Sequence, residues 1–236
     1  MKNKKTENFW LNLGCNIIAP SLLLIKGRNI VDRIGLECQN IDLWIFLIAM
    51  AFPIFYGIFD FVSRRKWNLF SVIGFASVLL TGGVGLLSLS KNWIIVKEGA
   101  IPLLLGVAVL ITAYTKRPLA KMIIMSDSVF DVEKIDNALQ SRGTTLQFNL
   151  QMKAITYIVA GSFLLSSVLN FILAFLIIKS PSGTQEFNAE IGTMTALSYP
   201  VIVLPTMVIF IFAMFKFFKV LKSFTGLELE DVMLKK

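Results

Sequence analysis

From Ala154 to Ile178, and again from Thr193 to Phe215, the sequence runs without one charged side chain. A helix needs ~20 apolar residues to cross a hydrocarbon core roughly 30 Å thick, and both runs meet that length. A small soluble fold has no interior large enough to hide them. A bilayer does, and because lipid offers backbone groups no hydrogen bonds, the spans must be helices or a closed barrel. Unbroken apolar runs, without the two-residue alternation of a barrel strand, select helices. The sequence therefore predicts an all-α, polytopic transmembrane helical bundle.

Four further segments carry enough apolar length to cross. Leu43–Val62, Leu69–Leu89 and Ile94–Tyr114 are bounded by charged residues, whereas Phe9–Ile25 is interrupted by Asn12, Asn16 and Pro20. A secretory leader is the competing reading of that first run after Lys2, Lys4 and Lys5, but the small-residue cleavage pattern is weak, and a helix is expected. With 236 residues, 56% of them hydrophobic, and a mean hydropathy of +0.72, the chain is expected to form a single membrane domain of six spans.

A net charge of +8 would suggest nucleic acid if the cations were gathered on one surface. They instead alternate with the spans. Seventeen lie in the N-terminal stretch, the Arg64-Arg65-Lys66 turn, the Lys116–Lys153 segment and the C-terminal tail, against six in the intervening loops. Positive loops stay in the cytoplasm, so both termini are expected there, facing anionic lipid headgroups, and nucleic acid is excluded as a partner. Homo-oligomers or envelope proteins are the protein partners such a chain would have.

Between the fourth and fifth spans, residues 119–150 read as a cytoplasmic amphipathic segment. Asp131 is placed as N-cap, Val132, Ile135 and Leu139 share one face, and Gly143 is the stop. A stripe that narrow is expected to pack on the cytoplasmic ends of the spans. Past the last span, Lys216, Lys219 and Lys222 recur at helical spacing, and Thr225 with Glu228 reads as a capping box for a short helix over about 225–235. Cys15 falls in a span and Cys38 in a loop, which predicts two free thiols.

No nucleophile elbow, zinc-protease helix, phosphate-binding loop or paired-cysteine motif occurs, and histidine is absent. Neither an enzyme nor a cofactor or metal is expected. Informative positions are polar groups at membrane depth, which cost free energy unless they meet inside the bundle. Asn16 in the first span and Ser166, Ser167 and Asn170 in the fifth are such groups, readable as helix-to-helix bonds or as a transport path. Lys97 and Glu98 stand early in the fourth span, where an ionisable pair faces a cavity, a partner or the interface; Glu98 is the best candidate for a proton- or cation-binding carboxylate. At the cytoplasmic side, Asp60, Arg64, Arg65, Lys66 and Arg117 are candidate lipid or partner contacts, with Asp60 and Arg64 four apart on one helical face. Thr81-Gly82-Gly83 with Gly85 permits close helix approach, and Pro102, Pro200 and Pro205 permit kinks.

Several of these features together resemble small bacterial inner-membrane proteins related to the intracellular septation protein A family. They are Asn16 with Pro20, Pro53 followed by Asp60 and Arg65, Lys97-Glu98, and Arg117-Pro118. The run SSVLNFILA from Ser166, the run GTQEFNAEIGTMTALSYPVIVLP from Gly183 and TGLELED from Thr225 extend the resemblance over nearly the whole chain. It implies a bacterial inner-membrane location and an envelope or division role, with a transporter label on some relatives. The midplane polar residues and Glu98 are themselves read as a path for transporter-like passage of a small solute, ion or lipid, the alternative being a non-catalytic envelope or septation scaffold. The C-terminal half is longer than in the septation proteins.

Overall fold

A computed structural model describes residues 13–36, 39–64, 77, 79–83, 87, 89–115, 118–125 and 129–233, without the side chains of 60, 61, 63 and 64. All regular structure among them is helical. A π-turn, Gly14–Ile18, leads into α1 (Ala19–Ile34), followed by α2 (Ile41–Arg64), α3 (Asn92–Thr112), α4 (Leu119–Ile124), α5 (Val132–Ser141) and α6 (Thr145–Ile177). After α7 (Gln185–Ser198) comes a second π-turn, Tyr199–Val203, then α8 (Leu204–Thr225) and α9 (Leu229–Val232). The chain divides into two compact units, Met1–Gly99 with Leu169–Val201, and Ala100–Val168 with Ile202–Lys236.

Among the described residues, four helical stretches are long and apolar enough to cross a membrane: Ile41–Phe59, Asn92–Thr112, Thr145–Ile177 and Gln185–Thr225. They coincide with the second, fourth, fifth and sixth expected spans. Most of the third expected span lies outside the described residues. The first is helical where described but is not among the four, because its helix does not stop at Ile25. It continues through Lys26, Arg28 and Arg33 to Gly35, which takes the left-handed conformation (φ 73°) that ends helices. Arg28 Nε bonds Asp32 Oδ1 one turn on at 3.1 Å and supports this polar extension.

Pro20 does not break the first helix. Proline has no N–H for the carbonyl four residues back; here Ala19 N donates to Gly14 O, and the chain accommodates the defect as one wide π-turn containing Asn16. The same arrangement recurs at Tyr199–Val203, with Pro205 in the first turn of the helix that follows.

In the first unit, α1 packs against α2 and α7. Leu24, Ile45, Phe46, Ala49, Phe187, Ile191 and Met194 are buried there, with the Phe46 and Phe187 rings 6.3 Å apart. Gly192 sets the closeness of α1 and α7: a Cβ at that position would lie 2.8 Å from Ser21 O and 2.9 Å from Leu24 Cβ. Asn188, one turn earlier and 3% exposed, donates from Nδ2 to Asp42 O at 2.7 Å, while Arg28 Nη1 reaches Asp42 Oδ2 at 3.2 Å. These polar bonds tie α1 and the first turn of α2 to the start of α7.

The second unit has its own core. Ile135 and Leu139 of α5 are fully buried with Ala120, Ile124, Phe148, Met152, Ile155, Phe217, Leu221 and Val232, and the Phe130 ring meets Phe217 edge-on at 5.7 Å. The narrow apolar stripe of α5 is thus covered from inside the chain. Asp131 caps α5, accepting from Lys134 N at 3.0 Å, and Gly143 (φ 66°) follows its end. Replacing Asp131 with alanine is expected to cost about 1 kcal/mol, read as a lower denaturation midpoint, and serine there should recover most of the loss.

α9 folds back on α5. Phe130 and Met233 form an antiparallel bridge, Asp131 N donates to Val232 O at 2.8 Å, and Lys134 Nζ donates to Asp231 O at 2.7 Å. Its N-cap is Glu228, whose N–H donates to Asp231 Oδ2 at 3.0 Å, so the expected Thr225–Glu228 box is displaced by three residues. The reason is Gly226: its left-handed φ of 69° ends α8, leaving Thr225 as the last turn of that helix with Oγ1 bonded to Leu221 O.

Candidate functional site

Only a few polar side chains are buried in the first unit, and Lys97 on α3 is the one that carries a full charge among the described residues, at 9% exposure. Its Nζ lies 2.7 Å from Thr81 Oγ1, 3.1 Å from Ser77 Oγ and 2.7 Å from Glu98 Oε1. A lysine ammonium has three N–H donors, and these three acceptors occupy them all. Thr81 Oγ1 itself donates to Ser77 O at 3.0 Å, which commits its proton to the backbone and leaves a lone pair for Lys97.

Adjacent residues on a helix point about 100° apart and do not ordinarily face each other. Lys97 and Glu98 nevertheless converge, because the ammonium is drawn toward the two hydroxyls and the Glu98 carboxylate bends to follow it. The pair is asymmetric: the lysine side chain is 8% exposed and the glutamate 20%. A buried ammonium must be paired and fully hydrogen-bonded to be tolerated. Here two neutral acceptors and one carboxylate meet that requirement, and the carboxylate is its sole counter-charge among the described residues.

The turns flanking this cluster are tied down by polar contacts. Glu190 Oε2 accepts from Lys179 N at 2.9 Å and Ser180 N at 3.0 Å, and its Oε1 accepts from Ser180 Oγ at 2.8 Å. Ser182 Oγ donates to Leu89 O at 2.6 Å, and Lys91 Nζ donates to Lys179 O. One carboxylate on α7 therefore holds the end of α6, which in turn holds the segment entering α3.

Of the expected polar path, Lys97 and Glu98 meet each other and two hydroxyls. Asn16 is half-buried in its π-turn and Asn170 half-buried on α6, both in the same unit as Lys97; Ser166 is half-buried and Ser167 buried on the part of α6 that belongs to the other unit. Cys15 carries a free, half-buried thiol, and Cys38 lies outside the described residues. The side chains of Asp60 and Arg64, and all of Arg65, Lys66 and Arg117, also lie outside them.

Sequence reasoning passed over Ser77 and Glu190 and read Thr81 only for its glycine neighbours. Ser77 and Thr81 stand four residues apart, which places two hydroxyls on one helical face. That spacing was a legible signal for a partner to a buried cation. Glu190 gave no comparable signal, since a carboxylate beside a loop is ordinary. No family model, curated protein or solved structure matches this chain.

Proposed function

We propose that this chain is a six-span membrane protein of a bacterial inner membrane, with both termini cytoplasmic, that passes a small solute through its first unit. The observation that carries the reading is the buried Lys97 with its half-covered partner Glu98 and the hydroxyls of Ser77 and Thr81. Ionisable residues within apolar helices are costly and mark substrate or proton pathways. A purely structural helix contact needs no charge, and hydroxyls or amides would serve it at lower cost. The seventeen-to-six division of cations supports the orientation, and the resemblance to the septation protein A group supplies the location.

A second reading, a non-catalytic envelope or septation scaffold, draws on the aromatic cluster of the second unit. Tyr114 and Tyr157 hydroxyls lie 2.8 Å apart, and Lys153 Nζ sits 5.3 Å from the centre of the Tyr114 ring. Tyrosine with lysine is the composition of a membrane–water interface that grips anionic headgroups. One experiment separates the two readings. In liposomes, purified protein should show saturable solute flux that Glu98→Gln reduces at least tenfold while the melting temperature holds within a few degrees. Absence of flux across a broad solute panel, with a protein partner recovered by crosslinking in native membranes, would favour the scaffold.

A further inference from the structure

We infer that the Lys97–Glu98 cluster binds one small oxyanion, a carboxylate or a phosphate, together with one proton, so that the solute is taken up as an anion coupled to protonation of Glu98. The inference rests on the transport reading and names its substrate class. It begins with charge. Lys97 as ammonium and Glu98 as carboxylate sum to zero, and a site shielded from water is tolerated only while its net charge stays near zero. An anion arriving alone would leave one negative charge in excess, and a proton alone one positive. Arriving together, they keep the sum at zero: the proton bonds a Glu98 carboxylate oxygen, the neutral acid lets go of Lys97, and the anion takes the vacated N–H.

The geometry suits that exchange. Glu98 is the more exposed member, and it alone of the pair has a lone pair to take a proton, since Lys97 is already an ammonium. Lys97 keeps two of its three hydrogen bonds when Glu98 leaves, because Ser77 Oγ and Thr81 Oγ1 still accept from it. The ammonium therefore stays in place, presenting one free donor rather than swinging away. An inorganic cation is disfavoured by the same inventory: it requires several oxygen ligands, whereas the cluster supplies one carboxylate against a triple donor that would repel it.

Among the described residues, few other charges bear on Glu98. The 77–83 stretch presents the hydroxyls of Ser77 and Thr81 and no titratable group. On α3, Lys97 is the charged residue in contact with it among the described residues. Lys91 donates to the Lys179 carbonyl at the flanking turn, Lys179 donates to the Phe175 carbonyl in the last turns of α6, and the Glu190 carboxylate is occupied by the turn after α6. A signal from Glu98 is thus isolated enough to be read.

Infrared difference spectroscopy on a film of the intact protein in zwitterionic buffer provides the test. Perfusion with sodium acetate, and separately with sodium phosphate, should produce a protonated-carboxyl band, accompanied by uptake of about one proton per protein. Glu98→Gln should abolish both, and Lys97→Met should abolish the anion dependence while leaving a carboxyl group to titrate. A film in which neither anion produces the band overturns the inference, as does a band that follows exchange of sodium for potassium instead of addition of anion. Glu98-dependent flux in liposomes without any anion-induced band would retain transport and discard this substrate class. The band without flux would retain the binding site and discard transport.

Discussion

Lys97→Met should be the most damaging single substitution in the first unit, lowering the free energy of unfolding by about 2 to 4 kcal/mol. Removing the ammonium strands the Glu98 carboxylate and withdraws the donors from Ser77 and Thr81 at once. The figure is set toward the low end of what a broken buried pair costs because the Glu98 side chain keeps 20% of its exposure and water relieves part of the stranded charge. Glu98→Gln should cost less, since an amide oxygen still accepts from Lys97. The decisive comparison is the double variant. If the two residues act as a pair, Lys97→Met with Glu98→Gln will be more stable than Lys97→Met alone, an interaction energy of roughly 1 to 3 kcal/mol in a double-mutant cycle. Additive losses would mean that the pair does not exist as a unit. The measurement is denaturant unfolding in detergent micelles followed by tryptophan fluorescence.

A second large effect is expected at Gly192, where the obstacle is backbone rather than charge. A methyl group there would sit 2.8 Å from the Ser21 carbonyl oxygen, 2.9 Å from Leu24 Cβ and 3.0 Å from Ile25 Cγ1. None of these is the far end of a flexible side chain, so α1 and α7 must separate to admit it. Overpacking of this kind costs about 1 to 3 kcal/mol for alanine, and valine should exceed that. Separation would also stretch the Asn188 bond to Asp42, four residues before Gly192. Gly161→Ala is the internal control: it lies within α6 with nothing near its would-be Cβ, and should stabilise by about 0.5 to 1 kcal/mol through helix propensity. Equal thermal shifts for Gly192→Ala and Gly161→Ala would refute the close-approach account.

The long apolar runs made four spans legible, because a stretch such as Ala154–Ile178 has no other stable use. Their ends were less so. The sequence placed the start of the fifth span near Ala154, yet α6 begins at Thr145, since Phe148 and Met152 find a core to enter and nothing between Thr145 and Ala154 breaks a helix. Helix length was readable from hydropathy only where lipid alone determines it. The displaced capping box has a similar cause: Thr225 and Glu228 have the right spacing, but the glycine between them takes a left-handed turn that spacing does not reveal. Lys97 and Glu98 were identifiable as misplaced charges. Their partners were not, because Ser77 and Thr81 lie 20 and 16 residues away on a segment whose rotation relative to α3 depends on packing, not on local pattern.

The clasp between α5 and α9 also bears on how the protein is made. Lys134 and Asp231 lie 97 residues apart, and α6, α7 and α8 are all synthesised between them. At the ~5 to 20 residues per second of translation, α5 therefore waits roughly 5 to 20 seconds for Phe217, Leu221 and Val232, the side chains that help cover Ile135 and Leu139. During that interval Ile135 and Leu139 have only Ala120, Ile124, Phe148, Met152 and Ile155 to pack against, and the rest of their cover is still to come. The second unit therefore closes only once α8 and α9 have been made, so its core is the last part of the chain that can be completed.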